Sequence, residues 1–139
     1  MNKLERTIEE KNKAIVGEAF DAVFNQRNLN AFEKYWSADY IQHSAHIPPG
    51  RDGLKNLVTS LPPEARYESS IMMAEGDFVM VHGRYYEIPG PNWIVVDIIR
   101  MKDGKLEEHW DVIQNEATKE SSKSGLPMFK NLFGVKPIL

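Results

Sequence analysis

The chain has 139 residues, a formal net charge of −3 and no cysteine. That length suits one domain with a proper core, and 42% apolar with 27% charged residues is ordinary for a soluble globular protein. Disulfides, thiolate chemistry and cysteine-ligated metals are excluded, the acidic balance argues against nucleic acid or an anionic membrane as partner, and no run approaches the roughly 20 apolar residues of a membrane span. The first ten residues carry acidic side chains where a signal peptide would have an apolar core. The expectation is a cytoplasmic domain with a small-molecule partner or none.

Ile8, Ile15, Val16, Ala19, Phe20, Val23 and Phe24 recur at helical spacing, predicting an amphipathic helix over about residues 3–25. Asn25-Gln-Arg-Asn28 ends it. Asn30 with Glu33 has the spacing of an N-cap and capping-box partner, opening a short helix through Tyr35. Tyr40-Ile-Gln-His43 reads as extended and Ile47-Pro-Pro-Gly50 as a loop. Leu54, Leu57, Val58 and Leu61 mark a third helix, stopped by Pro62-Pro63.

Strands are expected at about 66–75, 78–88, 92–101 and 105–114, punctuated by Gly76, Pro89-Gly90-Pro91 and Asp103-Gly104. Short connections make neighbours antiparallel. Helices segregated from an antiparallel meander give an α+β domain with the helices on one sheet face. Residues 1–139 form one domain, with 117–139 a tail whose polar stretch leads to Leu126-Pro-Met-Phe129, an apolar segment suited to docking on this subunit or a partner.

A carboxylate inside the run Ile94-Val-Val-Asp-Ile-Ile99 needs a partner, because burying a lone charge is costly. A three-residue Lys102-Asp103-Gly104 connection, with Gly104 left-handed, pairs Met101 with Lys105 and sets Asp97 opposite His109 and Val95 opposite Asp111. Asp97, His109 and Asp111 then share one face, while Leu106, Trp110 and Val112 share the other. A two-residue Asp-Gly turn would instead bring Asp97 opposite Trp110. The same reasoning at Pro89-Gly90-Pro91 sets Gly83 opposite Asp97, leaving space for a ligand, and Tyr85 opposite Val95. Trp93 falls on that face as an aromatic wall. His43 is a candidate at the pocket rim. A metal held by His43, His46 and an aspartate is disfavoured, because a Pro-flanked loop does not impose ligand geometry.

Gly-Arg-Tyr-Tyr (83–86) and the stretch from Val95 to Gln114, with its His-Trp-Asp-Val end (109–112), resemble the C-terminal signature of SnoaL-like polyketide cyclases in the nuclear transport factor 2-like (NTF2-like) superfamily. Tyr40-Ile-Gln-His43 followed by Pro-Gly-Arg-Asp-Gly-Leu (49–54) is similar to the family's mid-chain motif. The resemblance implies a cone-shaped antiparallel meander wrapped around N-terminal helices, with a pocket between them and dimerisation through the other sheet face. It also implies cofactor-independent and metal-free acid/base chemistry beside a carbonyl, an aldol-type cyclisation or isomerisation. The family's last-strand acid falls at Asp111. A second pocket group, often histidine, falls at Asp97, so this chain departs there and His109 is the neighbour able to take that role. The expected roles are Asp111 as acid/base, His109 and Asp97 as a coupled pair, and His43, Tyr85 and Trp93 toward substrate. The residues also admit plainer readings. Asp97 and His109 could form a structural ion pair, and the pocket could serve a non-catalytic binder, a dimeric interaction module or a water-activating hydrolase.

Overall fold

The computed structural model describes residues 6–132. Thr7 sets the start of the first helix: its Oγ1 accepts the Glu10 backbone N–H at 3.1 Å, so α1 runs Ile8–Phe20. Residues 3–5 of the expected helix lie outside the described residues. A π-helical turn, Asp21–Asn25, continues α1. Asn25 then meets the sheet, its Nδ2 donating to the Tyr67 carbonyl at 3.0 Å and its Oδ1 accepting the Tyr67 N–H at 2.8 Å. Arg27, at a φ of 56°, turns its guanidinium onto the carbonyls of Phe24, Pro62 and Ala65 at 3.1, 2.7 and 3.1 Å.

The second helix, α2, spans Ala31–Tyr35, but the Asn30 side chain makes no cap. Asn30 already has helical backbone angles. Asn28 supplies the acceptor instead, its Oδ1 taking the Asn30 N–H at 3.2 Å. The third helix, α3, spans Gly50–Ser60 and stops before Pro62, which cannot continue it.

Five strands follow the order β1-β5-β4-β3-β2: β1 Trp36–Gln42, β2 Arg66–Glu75, β3 Phe78–Tyr86, β4 Trp93–Lys102 and β5 Lys105–Asn115. The last four make the expected antiparallel meander. β1 joins β5 in parallel and makes the sheet mixed. Only its end was legible as extended, because Ser37-Ala-Asp39 lacks β-branched residues and a register irregularity separates Trp36 from Ile41. Val16, Phe20, Leu54 and Val58 of the helices pack with Val79, Val81, Ile99 and Leu106 of the sheet in one core, giving the α+β fold. Among the described residues, no helix is long and apolar enough to cross a membrane.

Two registers differ from expectation. The β4–β5 turn is the two-residue Asp103-Gly104 type, both residues having positive φ (52° and 76°), and Lys102 pairs with Lys105. A bulge follows at once: Met101 pairs with Leu106 but Arg100 with Glu108, leaving Glu107 as the extra residue. Asp97 therefore lies opposite Asp111, and Ile99 opposite His109. The turn shifts the pairing by one and the bulge by one more, so the expected face survives although the expected partners do not. Leu106, before the bulge, is the exception and faces inward, where it is buried.

The β3–β4 connection is longer than expected, placing Val81 opposite Asp97, Gly83 opposite Val95 and Tyr85 opposite Trp93. Gly83 makes no ligand space: a Cβ there would overlap the Tyr67 ring and hydroxyl. Gly83→Ala is expected to destabilise the fold by about 1–3 kcal/mol through overpacking, measured by urea unfolding. A variant as stable as the parent would show that Tyr67 shifts freely.

The outer sheet face is covered in part. The tail docks on its own subunit: Phe129 is buried against His82, the Ser70 hydroxyl donates to the Lys130 carbonyl at 2.6 Å, and Ser70 Oγ accepts the Leu132 N–H at 3.2 Å. Another part of that face is exposed among the described residues, with Val112 67% and Met73 65% exposed beside Phe78 and Met80.

Candidate active site

Between the helices and the inner sheet face lies a cavity of about 280 Å³, near the lower end of ligand-pocket sizes. Its walls are aromatic and aliphatic, with Phe24, Trp36, Trp93, Leu57 and Ile113 among them. Asp97, His109 and Asp111 all reach it, and one ligating atom of each lies within 4.8 Å of the others. Face sharing across the final hairpin therefore holds.

Asp97 and His109 are 2% and 5% exposed, and their contact is diagonal across the ladder, with His109 Nε2 2.6 Å from Asp97 Oδ1. The Tyr85 hydroxyl donates to Asp97 Oδ2 at 3.4 Å. Burial pushes the Asp97 carboxyl above the usual aspartate range and Asp111 adds to this, while the His109 and Tyr85 hydrogen bonds oppose it. Burial also raises the Tyr85 phenol, with the Asp97 charge adding to it, so Tyr85 stays a donor. Asp111 is half-buried and, among the described residues, has no hydrogen-bond partner. A carboxylate facing an apolar cavity is of the chemical type that can take a proton from a bound molecule.

Trp93 lines the cavity as expected, beside His46 at 5.4 Å between ring centroids. His43 does not. It lies on the outer face, stacked on Trp110 at 4.8 Å and paired with Glu108 at 2.7 Å, because the period of β1 sends residue 43 opposite to residue 42. The His43 bond, and then that of Arg100, hold the Glu108 carboxyl below its usual range. His43 and His46 thus share no site. Asp97, His109 and Asp111 could be drawn round a metal ion, but bonds of about 2.0–2.2 Å to each would require Nε2 and Asp97 to give up their contact.

Residue reasoning passed over Gln42 and Tyr40. Gln42 Oε1 lies 2.6 Å from His109 Nδ1 and accepts the Ser44 backbone N–H at 2.9 Å, while Gln42 Nε2 donates to the Tyr40 hydroxyl at 3.0 Å. The period-two spacing of 40 and 42 was the available signal. Without β1 in the sheet, it pointed nowhere.

The model of the SnoaL-like domain matches residues 16–109, a span that reaches His109 and stops short of Asp111. No curated protein matches the chain. Among solved structures, a "putative polyketide cyclase" from Acidithiobacillus ferrooxidans is 20% identical over 78% of this chain and 92% of its own, with a TM-score of 0.65. A "putative ketosteroid isomerase" from Kribbella flavida is 15% identical over 96% of this chain and 93% of its own, with a TM-score of 0.68. AclR, a "putative hydroxylase" from Streptomyces galilaeus, is 27% identical over 75% of this chain and 89% of its own, with a TM-score of 0.60. NTF2-like proteins also stand among the similar structures, in agreement with the fold. The inner-face cavity, the meander and the span matched together make this chain a member of the SnoaL-like domain family.

Proposed function

We propose that the protein binds a neutral, largely apolar carbonyl compound and performs cofactor-independent acid/base chemistry beside the carbonyl, an aldol-type cyclisation or an isomerisation. The observation that carries this reading is the Asp111 carboxylate, without a hydrogen-bond partner among the described residues, facing an apolar cavity next to a buried Asp97–His109 pair. In the proposed step Asp111 removes a proton from the carbon adjacent to the carbonyl. The developing enolate oxygen then draws on the proton held by the pair or on the Tyr85 hydroxyl, and Trp93 flanks the bound ring. The similar structures carry cyclase, isomerase and hydroxylase names, so fold kinship alone does not select the reaction.

Charge narrows the ligand. Among the described residues, no lysine or arginine lines the cavity, and two carboxylates do. An anionic ligand would lose hydration without gaining a counter-ion. A neutral cyclic monoketone is expected to bind at least about tenfold more tightly than a carboxylate analogue of the same size, a difference of roughly 1.4 kcal/mol, read by calorimetry. In D2O the protein is expected to speed deuterium uptake at the activated carbon above the buffer rate, followed by proton NMR. Equal affinity for both ligands would remove the charge argument, and exchange at the buffer rate would leave a binder. For assembly, the bare Met73, Phe78, Met80 and Val112 surface supports a homodimer through the outer sheet face, and sedimentation at micromolar concentration tests it.

A further inference from the structure

We propose that Gln42 is a positioning residue that fixes the tautomer of His109, holding a proton on Nδ1 and turning Nε2 toward Asp97. The inference deepens the acid/base reading, and its first test needs no turnover. The direction of the Gln42 amide is forced. The Ser44 backbone N–H can only donate, and it lies 2.9 Å from Oε1, so a flipped amide would set donor against donor. Nε2 of the same amide finds its acceptor in the Tyr40 hydroxyl at 3.0 Å. Oε1 is an acceptor only, and its 2.6 Å approach to His109 Nδ1 is a hydrogen bond only when Nδ1 carries hydrogen.

The consequence falls on the other ring nitrogen. In a neutral imidazole protonated at Nδ1, Nε2 has a lone pair, yet it lies 2.6 Å from a carboxylate oxygen. That contact closes only with one further proton, either on Asp97 or on Nε2. The pair therefore stores a single transferable proton beside the cavity, within 4.8 Å of the Asp111 carboxylate. The backbone explains why Gln42 can do this. Gln42 is the register partner of His109 across the parallel β1–β5 ladder, and the His43 N–H donates to the His109 carbonyl at 2.9 Å. The edge strand that the meander does not need is the element that delivers the tautomer-setting amide.

The test is nitrogen NMR of the full chain with 15N-labelled histidine, the His109 signals being assigned by their loss in His109→Gln. Wild-type His109 is expected to show a protonated Nδ1 near neutral pH. Gln42→Leu removes the acceptor and is expected to shift the tautomer ratio by roughly tenfold, while Gln42→Glu, which keeps an acceptor oxygen, restores the Nδ1–H signal. The pH profile of deuterium exchange should move in the leucine variant and not only its amplitude. Two results would overturn the proposal: a bare Nδ1 in the wild type, which is decisive even if the leucine variant does not fold, or an unchanged ratio in Gln42→Leu. A protonated Nδ1 in a protein without exchange activity would retain the positioning role and remove the catalytic one.

Discussion

Asp111→Asn is expected to lower turnover, or deuterium exchange at an activated carbon, by about 10²–10⁴-fold, the range for a positioned general base. The substitution keeps the shape of the side chain and removes its ability to take a proton. Asp111 has no hydrogen-bond partner to lose among the described residues, so the unfolding midpoint should stay within experimental scatter of the parent. Affinity for a neutral cyclic ketone should hold as well, because the apolar walls supply most of the binding. The result to look for is thus a loss in kcat with KM and stability nearly unchanged. Turnover that persists in Asp111→Asn would take Asp111 out of the mechanism and shift attention to Asp97.

The second large effect concerns stability. His109→Leu should cost about 3–5 kcal/mol at pH 8, the usual penalty for stranding one member of a buried pair, and lower the melting temperature by on the order of 10 °C. Asp97 would be left buried with only a long bond from Tyr85, so its ionisation would be costly. Its carboxyl already sits above the usual range because of burial, and the His109 hydrogen bond is the main influence holding it down. Removing that bond raises it further. The sign follows from linkage. A carboxyl whose folded-state pKa exceeds the unfolded value of about 4 is protonated at low pH in both states and costs nothing there. As pH rises past about 4, the unfolded state gains by ionising freely, and stability falls until the folded-state value is passed. The His109→Leu deficit should therefore widen from pH 4.5 to pH 8. Adding Asp97→Val removes the stranded charge and should recover most of the loss. Urea titrations at both pH values decide this, and a double variant no better than His109→Leu would mean that the pair is not energetically coupled.

The periodicities of α1, α3 and the four meander strands made the α+β fold readable, because each segment buries one face and states that in its spacing. The hairpin faces were readable for the same reason: parity is written in alternating residues. Pairing partners were not. Asp103 accepting a left-handed conformation, and Glu107 bulging beside it, are decisions of a few tenths to a few kcal/mol made by the whole sheet, and no short window displays them. Asp97 could be identified as a buried acid needing a partner, and His109 as that partner, although the geometry joining them is diagonal rather than opposite. Gln42 was invisible for a different reason. Its importance comes from β1 lying along β5, and the weak strand character of residues 36–39 concealed that contact.

Glu107 carries a consequence for how this chain can change over generations. Met101 and Arg100 are consecutive, and Glu107 alone separates their partners Leu106 and Glu108. Losing that single codon would let Leu106 and Glu108 run on in regular pairing, with His109 and Asp111 still turned to the hollow and Trp110 still turned away. An in-frame deletion of three nucleotides is absorbed at this corner. The same deletion at Trp110 would leave His109 in place and cast Asp111 out to the solvent side, because each residue lost from a regular strand turns all that follow by half a pleat. Length is thus free at the bulge and fixed a few residues beyond it.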